Sequence, residues 1–326
     1  MANNLTEQDK EMVISKKYLL YVYLILPALL LIFLVDVFYL DYLIFPYVGI
    51  EGLLLPLFVV IFNLPHVIAS FFGFLDKEYV SYYRKHLYFY LPVILIGTAL
   101  LLFVDYKLGL AFYLVNDVWH GIKQKVGIAL ILGARPGWLH KAWTFLPFFT
   151  SSVAYIYFIV PEVLTEKLIN YISPSLLISM ILLVFVVIAK LKQSAPAVRS
   201  YIFLVSALFF LNYLFILNGY IFFAILAFRF VHDFSAFAFY ITHDYNRNKD
   251  GYKNWFYKMF SSIGLPVLII TPTLAFFIAY LARTVTNGLE IGYSIVILIC
   301  MTHYYLESVM WKRDSLHRKQ IKVSRD

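Results

Sequence analysis

One cysteine, Cys300, occurs in 326 residues. A single thiol excludes an internal disulfide and a cysteine-based zinc site. It falls inside an apolar run, where a lone cysteine packs as a small hydrophobe. Charge is scarce as well. Only 14% of the residues are Asp, Glu, Lys or Arg, against about 25% in a soluble domain. That scarcity excludes an ordinary water-soluble globule. The apolar runs do not alternate with polar residues, which excludes an outer-membrane barrel. No small-residue cleavage site follows the first apolar run, so it is expected to stay as a helix. There is no convincing internal repeat and no low-complexity linker.

Apolar residues make up 62% of the chain, and aromatic residues 19%. They come in blocks of about 20, the length needed to cross a hydrocarbon core of about 30 Å. The expected fold is all-α: a polytopic integral membrane bundle with ten spans, at 18–35, 52–75, 87–104, 109–133, 143–161, 172–189, 200–217, 219–243, 260–282 and 290–311. Residues 1–17 form an N-terminal segment, 18–311 the transmembrane domain and 312–326 a basic tail.

The basic residues orient these spans. All but four of the 27 Lys and Arg fall on one side of the ten-span arrangement. Lys107, Lys167 and Arg283 fall on the other side, and Arg229 lies within a span. The positive-inside rule then places both termini and the tail in the cytoplasm of a multi-pass protein of the cell inner membrane. The net charge of +8 is thus a topology signal with an added attraction to anionic headgroups, and nucleic acid is not an expected partner. Trp138, Trp143, Trp255 and Trp311 fall near cytoplasmic span ends, where indole suits the headgroup region. Asn218-Gly219 reads as a tight turn. No large soluble domain lies on either face, so any chemistry belongs to the bundle or its mouth.

Histidine carries the functional signal. Imidazole is costly among lipid tails, so an intramembrane histidine is a functional-site hypothesis by default. His66, His120, His232 and His303 sit on spans two, four, eight and ten. All four spans run outside to inside. Counted back from the following basic boundary, the four histidines lie at depths of about 14–23 Å. Shared direction and level point to one metal centre. Each also has polar companions at helical spacing, which shares a helix face. These are Asn63 before His66, Asp117 before and Gln124 after His120, Arg229 before His232, and Glu307 after His303. Arg229 can pair with Asp233. Metal-bound imidazole usually gives its second N–H to a carboxylate or carbonyl, so Asp117, Asp233 and Glu307 are candidate orienting groups or spare ligands. Imidazole with carboxylate suits iron, manganese or zinc, and a histidine-rich site with open positions suits non-haem Fe(II) and O₂.

The other histidines read differently. His86 and His140 adjoin Lys85 and Lys141 at span ends and are expected at the interface. His317 is expected to be solvated in the basic tail. His243 shares a face with His232 but lies about 16 Å along the axis, too far for the same ion unless the helix breaks. It is expected in a supporting or mouth role with Asp244. Pro65 lacks a backbone donor and favours a kink beside His66. The dense Phe and Tyr content packs the bundle and can line a slot for a long apolar substrate.

At these residues the chain resembles the Brp/Blh family of membrane-embedded β-carotene 15,15′-dioxygenases. NLPHVIAS at 63–70 is similar to the family's Leu-Pro-His-Gly motif at Leu64, Pro65 and His66. WHGIKQK at 119–125 resembles the second motif at His120, and FVHDFSAF at 230–237 a late motif at His232. MTHYYLESVMWKR at 301–313 resembles the closing motif at His303 and Glu307. The chain departs from the family at Val67, Ser70, Lys125 and Ala236. The resemblance implies iron held by histidines and oxidative cleavage of a carotenoid to retinal.

Together these readings give an expectation of a membrane-embedded Fe(II) oxygenase. Its metal ligands are His66, His120, His232 and His303, its partners the lipid bilayer, O₂ and an apolar small-molecule substrate that enters from the bilayer. A proton- or metal-ion-coupled transporter using the same cluster is the alternative from another class. A haem-b electron carrier is a third reading.

Overall fold

The computed structural model describes residues 11–48, 63–287 and 291–324. Among them every regular element is a helix, apart from a single bridge between Ile14 and Val323. In chain order the helices are α1 (Lys16–Tyr39), α2 (Leu64–Phe72), α3 (Lys77–Tyr82), α4 (His86–Val104), α5 (Tyr106–Ile131) and α6 (Trp138–Ile159). They continue with α7 (Glu166–Gln193), α8 (Pro196–Leu217), α9 (Ile221–Asn248), α10 (Trp255–Ser261), α11 (Val267–Asn287), α12 (Gly292–Met310) and α13 (Leu316–Lys319).

Seven of these, α1, α4, α7, α8, α9, α11 and α12, are long and apolar enough to cross a membrane. They mark the chain as a membrane protein. Each of the ten expected spans holds a helix, yet three fall outside this set for identifiable reasons. Residues 52–62 of the second expected span lie outside the described residues, as does 290 at the start of the tenth. What is described of the second is α2, with Pro65 in its first turn. There proline removes a donor that the helix start leaves unbonded anyway. The kink expected at Pro65 therefore depends on residues outside the described set. α5 and α6 have the length, 26 and 22 residues. However, α5 carries Asn116, Asp117, His120, Lys123, Gln124 and Lys125 through its middle, and α6 opens on His140 and Lys141.

Local sequence sets the helix ends. Asp105 starts α5 by accepting from the backbone N–H of Lys107 (2.9 Å) and Leu108 (3.1 Å). Asp76, Asn254 and Ser315 do the same for α3, α10 and α13. Each such cap is worth about 1 kcal/mol. The expected turn at Asn218-Gly219 is present, with Gly219 at φ +76°.

The chain forms two compact units. The first holds the described residues of Met1–Ser15, Val59–Leu100 and Asp233–Ser324. Its centre is α2, buried along nearly its whole length and packed on α11 and α12. The two terminal segments meet here. Ile14 N–H donates to the Lys322 carbonyl, and Ser324 N–H donates to the Ile14 carbonyl, both at 2.9 Å. The Asn246 side chain at the end of α9 clamps both segments, accepting from Met12 N–H (2.7 Å) and donating to the carbonyls of Met12 (3.0 Å) and Gln320 (2.8 Å). The tail is therefore a packed part of the fold. His317, expected in solvent, is fully buried.

The second unit holds the described residues of Lys16–Phe58 and Leu101–His232. α5, α6, α7 and α8 pack side by side, with α1 against α8. Buried polar groups are matched across helices. Asp36 accepts from Tyr220 Oη at 2.6 Å and from Ile44 N–H at 2.8 Å. Trp143, read as an interfacial anchor, is instead fully buried and donates to Ser206 at 2.9 Å. Lys125, counted with the cytoplasmic charge, is also buried, its ammonium 3.7 Å from the centre of the Phe228 ring. Such a cation–π contact replaces part of the lost hydration.

Candidate metal centre

The four histidines singled out in the sequence form one buried group. A ring nitrogen from each of His66, His120, His232 and His303 lies within 4.8 Å of the others. They occur as two edge-to-face pairs. His66 and His303 have ring centroids 4.8 Å apart at 84°, and His120 and His232 are 4.9 Å apart at 79°. Helical spacing explains why these side chains are presented together with polar companions: His66 and Ser70 lie one turn apart on α2, and Arg229 lies one turn before His232 on α9.

Neighbouring groups set the ring tautomers. Nδ1 of His66 lies 3.1 Å from the carboxylate of Asp233. At that distance the negative carboxylate favours the ring proton on Nδ1, the tautomer with its lone pair on Nε2. The argument for His303 is sharper. Ser70 Oγ–H donates to the Val67 carbonyl at 2.6 Å, which uses the hydroxyl's only proton. Its oxygen therefore accepts from Nδ1 of His303 at 2.9 Å. His303 likewise keeps its lone pair on Nε2. Sequence reasoning passed over Ser70, which stands where the family motif has an acid. Its spacing of four from His66 was the available signal.

Two of the expected carboxylates have partners that helical spacing did not name. Arg229 bonds Asp117 on α5, and both are largely buried. Glu307, one turn after His303, accepts from Tyr240 Oη. Asp117 and Glu307 thus engage other side chains near the histidines.

Could this group hold a metal ion? The donor set is suitable, because four neutral imidazoles are ligands for iron, copper, nickel or zinc. Metal–nitrogen bonds are about 2.0–2.1 Å, so four nitrogens within 4.8 Å of one another are near enough to share one ion after a modest closure. Among the described residues, the buried amide oxygens of Asn63, one turn before His66, and of Gln124, one turn after His120, have no hydrogen-bond partner. The residues fit a metal ion.

The chain matches no family model, no curated protein and no solved structure. What is known of the site is its own geometry and chemistry.

His243 is not part of the four-histidine group. α9 runs without a break from Ile221 to Asn248, so the helical distance from His232 stands. His243 instead belongs to a second polar cluster in the first unit. Its Nε2 meets Tyr79 Oη at 2.9 Å, and its Nδ1 meets Asp244 at 2.9 Å. Its ring stacks on His317 at 4.7 Å and 16°. Asp244 also accepts from Thr271 Oγ1 at 2.7 Å and from Tyr257. His86, read as interfacial, is half-buried and bonds Tyr305 Oη at 2.6 Å.

Proposed function

We propose that this protein is a membrane-embedded iron-dependent oxygenase acting on a lipid-soluble apolar substrate, with a carotenoid as the leading candidate. The observation that carries the reading is the buried group of four imidazoles in an apolar helical protein. His66, His120, His232 and His303 would hold the ion. When bound there, iron(II) supplies the capacity to activate O₂. The resemblance of the four histidine motifs to the Brp/Blh family supports a polyene as the substrate.

This chain's residues contribute positioning. Ser70 fixes the His303 ring with Nε2 unprotonated, and the Asp233 carboxylate beside Nδ1 favours the same tautomer in His66. The Arg229–Asp117 pair neutralises a guanidinium that would otherwise repel a cation nearby. Burial keeps bulk water from the group, which protects an oxidising reaction from side reactions. Cleavage of a central C=C bond by O₂ gives two aldehydes, takes both oxygen atoms and needs no external reductant.

Metal analysis of the purified protein tests the reading. About one tightly held non-haem iron per chain is expected, with loss of iron in His66→Ala, His120→Ala, His232→Ala and His303→Ala. Expression in a carotene-accumulating host should bleach the pigment and yield retinal. Unchanged pigment would remove carotene as substrate. No retained metal, together with no O₂ uptake on membrane lipid extracts, would sink the oxygenase and favour ion-coupled transport.

A further inference from the structure

The end of α12 and the start of α4 meet in the first unit. Beside them lies an open cavity of about 360 Å³, lined chiefly by Tyr82, Tyr83, His86, Lys312, Arg313 and Ser315. Its size is that of a small-ligand site. Its place in the fold is informative. The apolar span of α4 begins at His86 and that of α12 ends at Met310, so the edge of the apolar layer passes through the cavity. A bilayer whose hydrocarbon core ended there would set its lipid phosphates at this level.

The lining has the chemistry of an anion site. Lys312 and Arg313 are exposed, and Asp314 is the only acid beside them in the wall. Arg84 and Lys85, also exposed, sit in the chain between Tyr83 and His86. Tyr82 and Tyr83 stand edge to face at 4.7 Å and 82°, forming a rigid aromatic side. Tyr305 holds Nδ1 of His86 at 2.6 Å, which fixes the ring and leaves Nε2 for a ligand. Burial pushes the Tyr83 phenol up to about 12, so it stays protonated.

The surface next to the cavity identifies the rest of the ligand. On α4, Phe89, Val93, Ile96 and Leu100 recur at spacings of four, three and four, and are 63%, 58%, 60% and 57% exposed. They form one apolar stripe running from the cavity into the membrane layer. A headgroup site continuous with an apolar stripe fits an amphiphile better than a soluble anion.

We propose that this cavity binds the phosphate of an anionic phospholipid whose acyl chains lie along the exposed stripe of α4. Arg313 can grip a phosphate through two parallel N–H donors, and Lys312 adds a point charge. Basic pockets between membrane helices are known to suit such headgroups. The inference is independent of the metal centre.

The test uses the full chain in neutral detergent, mixed with phosphatidylglycerol, phosphatidylcholine or inorganic phosphate. Bound lipid is counted by native mass spectrometry, and stability by thermal melting. Phosphatidylglycerol should be retained roughly tenfold better than phosphatidylcholine, and a Lys312→Gln/Arg313→Gln variant should lose that preference. Both side chains are exposed, so the variant should fold, and Lys312→Arg/Arg313→Lys should keep most of the preference. Equal retention of the two lipids, or an unchanged preference in the glutamine variant, would overturn the proposal. Inorganic phosphate that displaced the lipid and raised Tm as much would overturn the lipid assignment in favour of a soluble phosphate ligand.

Discussion

At the scale of single residues, the four histidines were legible because direction and depth follow from charge and helix rise alone. Their orienting partners were not. Asp233 on His66 and Ser70 on His303 are contacts between helices, and contacts of that kind depend on how the helices pack. Arg229 illustrates the limit. Its nearest carboxylate along α9 is Asp233; packing also brings Asp117 on α5 to it, which no spacing rule names. The orienting role of Asp233 makes a prediction. Asp233→Asn keeps the shape but no longer draws a proton onto Nδ1 of His66, so metal affinity should fall about 10–100-fold. A metal titration of the stripped protein measures this, and an unchanged affinity would remove Asp233 from the site. Gly121 makes another. A Cβ there would meet Phe228 Cε1 at 2.3 Å, beneath the ammonium of Lys125. Gly121→Ala should therefore lower stability by about 1–3 kcal/mol through overpacking. Thermal melting should show the loss, and Phe228→Leu on top should recover part of it.

At the scale of elements, the apolar helices were readable and the tail was not. Basic composition suggested a solvated tail, but α13 packs into the first unit through His317, which stacks on His243 from α9 and bonds Tyr83 Oη at 3.1 Å. Tyr79 from α3 lies against the same ring at 4.1 Å, and Trp311 stands edge-on at 6.1 Å. Burial, then His243 and Arg247, pushes the His317 pKa well below its ordinary value. The folded state thus prefers the neutral ring. Below about pH 6.5 an undocked His317 takes up a proton while the docked one does not. Docking stability should therefore rise with pH and be lost as the pH falls below that value. Hydrogen exchange over residues 316–324 should be slow at pH 8 and faster at pH 5.5. Equal protection at both values would mean that the ring does not control docking.

For the whole molecule, membrane character and helical class were plain from composition, and the number of crossings was less so. Seven helices pass on length and apolarity, while α5 and α6 carry polar residues that an apolar count penalises. That is why the helix bearing His120 is among those a hydropathy reading treats least kindly. The charge pattern makes its own prediction. Reporter fusions at Lys77, Lys192 and Lys253 should report cytoplasm, and those at Lys107 and Lys167 the opposite side. A reversed report at any of the first three would break the ten-span arrangement. The paired terminal segments add a constraint, since two segments hydrogen-bonded to each other must share one side of the membrane.

Synthesis delivers Ile14 near the beginning and Val323 near the end. At about 5–20 residues per second, roughly 15–60 s separate them. Throughout that interval the backbone of Ile14 lacks the partners it has in the finished fold, Lys322 and Ser324. The terminal pairing therefore works as a latch that closes only once residues 322–324 have been made, so the segment synthesised early is secured late.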